Sequence, residues 1–244
     1  MNCKLCGKDK KLVRAHIIPK SLWKPLFDEQ PPQVHSTAPT ADDKKSPVGV
    51  YDTGILCAQC ESIFSPWDDY AQKLFLAKPT EDQYVIKNGQ KIAYVETDID
   101  YAKLKLFFIS LLWKAAVSNH FFFSRVNVGS FEPQLRRMIL RDDPGDPDTF
   151  AVMVTKCDER LSPIVLNPQP ERWGETNYYH FYLAGYMAYI KVDSRPAPDF
   201  MGEFALAPEK PLIILLRDLR TSKDFKIMHD IASSIVFQKQ PQRA

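Results

Sequence analysis

The sequence predicts an α+β fold in two parts. A small N-terminal head stapled by metal covers residues 1–80, and a mixed α+β body built on a central buried helix covers residues 81–244. Three observations carry this. Cys3-Lys4-Leu5-Cys6 and Cys57-Ala58-Gln59-Cys60 form two matched Cys-x-x-Cys pairs about 50 residues apart. Residues 104–117 are apolar on nearly every side, as in a helix enclosed by its neighbours. From Thr149 onward, short apolar runs alternate with turns rich in Pro and Gly.

The elements follow in order. Residues 11–18 read as a strand, and Pro19 ends its ladder. Residues 21–27 read as a short turn or helix, and residues 28–47, rich in Pro, Ser, Thr, Asp and Lys, as a mobile surface loop. Residues 48–56 form a return strand into the second cysteine pair. A helix then runs from near Cys60 to about Ala77, interrupted early by Pro66. Residues 84–87 and 91–95 make a hairpin across Asn88-Gly89, because both turn residues tolerate positive φ. Asp98-Ile99-Asp100 caps the long helix 101–119, and a second helix covers 131–141. Strands are expected at 150–155, 162–166, 178–183, 187–192 and 212–216. A last helix, 224–237, carries Phe225, Met228, Ile231, Ala232 and Ile235 at helical spacing.

Composition narrows the class. Apolar residues make up 45% of 244, enough for a sizeable core. The longest apolar run, 106–113, is broken by Ser110 and falls well short of the ~20 residues of a membrane span. Residues 1–24 hold no uninterrupted apolar stretch of the secretory kind. The expectation is a soluble cytoplasmic protein with no membrane partner. Thiols stay reduced in that compartment, so paired Cys-x-x-Cys units read as a four-thiolate site for structural Zn²⁺. Cys157 is left over and reads as a core thiol.

Net charge is only +2, so nothing global marks a nucleic-acid binder. Residues 1–24, however, hold Lys4, Lys8, Lys10, Lys11, Arg14, Lys20 and Lys24 against Asp9 alone. Four thiolates around Zn²⁺ subtract two charges and leave the patch basic. It suits phosphate contacts, and equally a solvated lysine face.

Cys3-x-x-Cys6, Ala15-His16-Ile17-Ile18-Pro19, Gly54-Ile55-Leu56-Cys57-x-x-Cys60 and the helix after them resemble HNH (ββα-metal) endonucleases, which often carry two zinc knuckles around the catalytic unit. The resemblance covers roughly residues 1–75. The segment 104–118 also resembles the C-terminal part of an uncharacterised bacterial subgroup of HNH proteins, without any activity attached to it. The resemblance over residues 1–75 implies that His16 is the general base activating water, opposite a divalent ion on the scissile phosphate. Ala15 stands where the family places one metal ligand, Glu61 where it places the helix ligand, and the middle Asn position falls near Asp52. Glu61 and Asp52 are hard oxygen donors suited to Mg²⁺ or Mn²⁺, so the second site is carboxylate-based or lost. Lys8, Lys10, Lys11, Arg14 and Lys20 are the expected DNA contacts.

Plainer readings stand beside these. His16 is alternatively a structural histidine, and Glu61 a solvated first-turn carboxylate favoured by the helix dipole. Asp68 and Asp69 read as helix-surface or capping residues, Asp68 being an outside candidate for a ligand. His35 falls in the 28–47 loop, while His120, His180 and His229 fall in the body with no partner visible in the sequence. Tyr178, Tyr179, Phe181 and Tyr182 read as sheet core sooner than a base-stacking platform. The functional expectation is an HNH-type DNA endonuclease, alone or gated by a partner protein in a bacterial antiphage or toxin assembly. The alternative is a non-catalytic zinc-finger module that binds nucleic acid or protein.

Overall fold

A seven-stranded mixed sheet, covered on one face by helices, forms the body, and the head packs against the same helices. The computed structural model describes residues 1–26, 33–35, 44–45, 49–157 and 164–218. In the head, β1 (Ala15–His16), β2 (Gln33–His35), β3 (Lys44–Lys45) and β4 (Tyr51–Asp52) precede α1 (Ala58–Glu61), a 3-10 turn (Ser62–Phe64) and α2 (Ser65–Leu76). The body holds β5 (Tyr84–Lys87), β6 (Gln90–Glu96), α3 (Tyr101–Val117), α4 (Glu132–Arg141), β7 (Val152–Cys157) and β8 (Ile164–Leu166). It continues with β9 (Gln169–Trp173), β10 (Thr176–Leu183), β11 (Tyr186–Lys191), α5 (Asp199–Gly202) and β12 (Leu212–Arg217). The expected helix 224–237, with His229, lies outside the described residues, as does most of the 28–47 loop.

The large sheet runs β5-β6-β12-β7-β11-β10-β9 and is antiparallel except for the parallel pair β12–β7. A second sheet pairs β2 with β3 and, in parallel, with β8. The Asn88-Gly89 turn closes β5 and β6 with φ of 52° and 74°, the left-handed pair a two-residue hairpin needs. Pro66 sits in the first turn of α2, where its missing N–H has no helical partner to lose, so the break falls just before it.

The head's strands are shorter than the sequence predicts. The segments do run antiparallel, through the Leu12↔Cys57 bridge, Val13 N–H to Leu56 O (2.9 Å) and Ile17 N–H to Val50 O (3.3 Å). A regular ladder survives only at Ala15↔Asp52 and His16↔Tyr51. Asp52 Oδ1 captures Gly54 N–H at 2.7 Å and turns the chain out of it. Three strands escaped the sequence reading: β2 and β3 fall within 28–47, read as a loop, and pair with each other and with β8, while β9 contains Pro170, tolerated because β9 is an edge strand.

α3 is the core. The Asp100 carboxylate caps it by accepting Lys103 N–H at 3.0 Å, and its residues 104–115 are buried throughout. It lies between α2 and α4. The apolar core is continuous from Cys3, Leu5 and Trp23 through Phe64 and Phe75 to Phe107, Leu111, Phe181 and Ile214. Polar contacts cross the same seam: Arg136 Nε donates to Leu5 O at 2.6 Å, and the Asp52 carboxylate accepts from Ser118 and Asn119. Gly49, at φ +75°, lies against Trp23, where a Cβ would stand 2.8 Å from the indole. No helix among the described residues is long and apolar enough to cross a membrane.

Candidate functional site

The two Cys-x-x-Cys pairs meet. Cys3 opens a tight turn in which Gly7 N–H returns to Cys3 O at 2.8 Å, with Gly7 at φ 72°. Cys57 is the N-cap of α1, and its carbonyl accepts from Cys60 N–H (3.0 Å) and Glu61 N–H (2.9 Å). Lys4 N–H to Ile55 O (2.8 Å) joins the two turns, and Cys57 N–H points at Cys3 Sγ from 3.4 Å. All four sulfurs lie within 4.8 Å of one another and none is in a disulfide. A Zn²⁺ with bonds of ~2.3 Å needs its sulfurs about 3.8 Å apart, so the four donors fit that ion. Their chemistry agrees. Burial and the neighbouring thiols push Cys60 up, while at Cys3 burial is outweighed by backbone hydrogen bonds and the thiol falls to about 7. Four crowded thiols cannot all ionise without a cation between them.

His16 sits on β1 between these turns, half-buried and directly across from Tyr51, with ring centroids 6.0 Å apart. Exposed Arg14 lies over the same tyrosine at 4.2 Å. Glu61 follows Cys60 on α1, and a backbone hydrogen bond from His16 reaches its carboxylate. Burial raises the Glu61 pKa above its ordinary value; Lys114 opposes that shift and Asp68 adds to it. Glu61 Oε2 and Asp68 Oδ1 are both buried and accept no hydrogen bond among the described residues.

Asp52 is not part of this group. Directly opposed residues of an antiparallel pair share a face, so Asp52 goes with Ala15 and His16 with Tyr51 on the other side. Its oxygens are taken by Gly54 N–H (2.7 Å), Ser118 Oγ (2.7 Å) and Asn119 N–H (3.0 Å). Burial opposes its ionisation, but these bonds and nearby His120 win and hold its pKa below the usual value. Among the described residues, only the four cysteines bring three or more Cys, His, Asp or Glu donor atoms so close together. His16, Glu61 and Asp52 do not converge on one ion.

Asp68 departs from its surface reading as well. Asp69 is exposed, but Asp68 turns inward and its Oδ2 lies 3.8 Å from Lys114 Nζ. Burial raises its pKa against the pull of Lys114. Lys114 reaches the head from α3, is 1% exposed and stands 4.8 Å over the Phe64 ring. The sequence reading passed over it; the available signal was a lysine in a segment that is apolar apart from Lys105 and Ser110. Glu61 Oε2 and Asp68 Oδ1 are thus two buried acidic oxygens, and both carboxylates feel the charge of Lys114.

Lys8, Lys11, Arg14 and Lys20 are exposed on the head, and half-buried Lys10 donates to Gln59 Oε1 at 2.8 Å. Tyr178, Tyr179 and Phe181 are buried in the sheet. His180 has a partner the sequence did not reveal, Glu171 Oε2 at 3.0 Å. His120 caps a 3-10 turn through Phe122 N–H at 3.2 Å, and the side chain of His35 lies outside the described residues. Compared with known proteins, the chain matches no family model, no curated protein and no solved structure.

Proposed function

We propose that the protein is a metal-dependent endonuclease of HNH type that hydrolyses phosphodiester bonds in DNA. One observation carries the reading: the histidine between the two cysteine turns is tied, through its backbone N–H, to the carboxylate that follows the second turn. A base candidate and an acidic group are thereby fixed on one zinc-type scaffold. In this reading His16 takes the proton of the attacking water, for which a neutral imidazole with an ordinary pKa near ~6.5 is suited. Glu61 and Asp68 would hold Mg²⁺ or Mn²⁺, which supplies charge stabilisation at the leaving oxygen when bound. Arg14, just before β1 and against Tyr51 like His16, joins Lys8, Lys10, Lys11 and Lys20 in contacting the phosphate backbone. The protein would work in the cytoplasm, alone or in a bacterial defence or toxin assembly whose partner controls it.

The committed oxygens of Asp52 and the apolar Ala15 favour the competing reading, a zinc-stapled module that binds nucleic acid or protein without cutting. Incubating zinc-loaded protein with supercoiled plasmid and Mg²⁺ or Mn²⁺ decides between them. Nicking that stops when Mg²⁺ or Mn²⁺ is left out supports the nuclease. Retarded but intact DNA at every metal and salt condition supports the module.

A further inference from the structure

Lys114 belongs to the body, yet its ammonium lies in the head. It is 1% exposed, 3.8 Å from Asp68 Oδ2, and close enough to Glu61 to oppose the shift that burial imposes there. Its position is odd for a group whose only task is stability. Burying an ammonium carries a large desolvation cost. A lysine bonded for stability would sit at about 2.7–2.9 Å from its carboxylate. Here the charge stands off, above the Phe64 ring at 4.8 Å. Phe64 belongs to the turn between α1 and α2, so Glu61, Phe64 and Asp68 fall on successive turns of one helical stretch. A point charge placed there acts on both carboxylates at once.

The same end of α3 also holds the other half of the site. Ser118 Oγ and Asn119 N–H, just past its last turn, grip Asp52, the ladder partner of Ala15 and neighbour of His16 across the strands. One helix end therefore braces the strand with His16 and the helix with Glu61.

We infer that Lys114 is a positioning residue: it fixes the Glu61 and Asp68 carboxylates relative to His16, so that the head's site is complete only when the body's central helix is docked. The inference rests on the hydrolytic reading for its consequence in catalysis, but its structural part stands apart from it.

The test uses full-length, zinc-loaded protein and the variants Lys114→Met and Lys114→Arg. The first readout is hydrogen exchange at the His16 amide, which the Glu61 carboxylate accepts. It should exchange about tenfold faster in Lys114→Met than in wild type. Lys114→Arg, which keeps the charge, should stay near wild type, and amides of β10 and β11 should not change in either. The second readout is DNA cleavage. Lys114→Met should lose on the order of 10²-fold in kcat with KM for DNA unchanged, and Lys114→Arg should recover most of that loss. Wild-type exchange at His16 in Lys114→Met overturns the inference whatever the activity. If wild type cuts no DNA but the His16 amide responds, the nuclease reading fails and the positioning role stands. Should Lys114→Met fail to fold, Lys114→Gln supplies the neutral comparison. If both neutral variants lose zinc or their folded baseline, Lys114 is structural only and the inference falls.

Discussion

Asp52 and Asp68 are the residues whose readings change once their surroundings are known, and Lys114 is the residue to which the sequence assigned no role. Asp52 joins the head to the end of α3 by accepting from Ser118 and Asn119, and its ionised form is favoured in the folded state. A carboxylate whose pKa is lower folded than unfolded adds stability in full above its unfolded value near ~3.9, and that contribution is lost as pH falls through the lower folded value. Asp52→Asn should therefore cost about 1–2 kcal/mol at pH 7, a value reduced for partial exposure. The gap between wild type and variant should close below about pH 4. Urea unfolding across pH measures this, and coincident midpoints at pH 7 would refute it. The sequence could not assign Asp52 because the facing of a side chain depends on register, and a shift of one residue reverses it. Lys114 was legible in principle, since a cation inside a largely apolar helix needs a partner, but nothing in the chain names Asp68 as that partner.

At the level of elements, the reading held best where local chemistry decides. Asn88-Gly89, the Asp100 cap and the Pro66 break each act over a few residues, and each appears as expected. It failed where long-range pairing decides. β9 carries a proline that only an edge position tolerates, and edge position is not written in the segment itself. α3 lies between these cases, because its all-round apolarity announces burial without naming neighbours. Phe108 and Trp113 are both fully buried on it. Phe108→Ala should destabilise the protein by about 3–5 kcal/mol through the cavity it leaves beside Phe75 and Phe107. Denaturant titration would show it; a loss below about 1 kcal/mol would mean that α3 is not the centre of the core.

Across the whole molecule, head and body share one apolar core, so the metal site should support more than the first 80 residues. Cys57→Ser should release zinc, seen by metal analysis, and lower the midpoint of the entire thermal transition. The expected drop is roughly 10 °C or more, since each kcal/mol is worth ~2–4 °C in a chain of this size. A calorimetric trace in which the body melts at its original temperature would show instead that the two parts are independent. The four cysteines were the part of the site most legible in the sequence, because their spacing encodes the geometry directly. The acidic partners were the least legible, because they lie on α1 and α2 and meet Lys114 from α3. The central claim is that His16 performs the chemistry this scaffold exists to support, and one comparison tests it: initial rates of plasmid cleavage by wild type and His16→Ala, both zinc-loaded, in saturating Mn²⁺. Loss of a general base should slow cleavage by about 10²–10⁴-fold, with zinc content and melting temperature unchanged. His16→Ala cleaving at the wild-type rate would contradict the account.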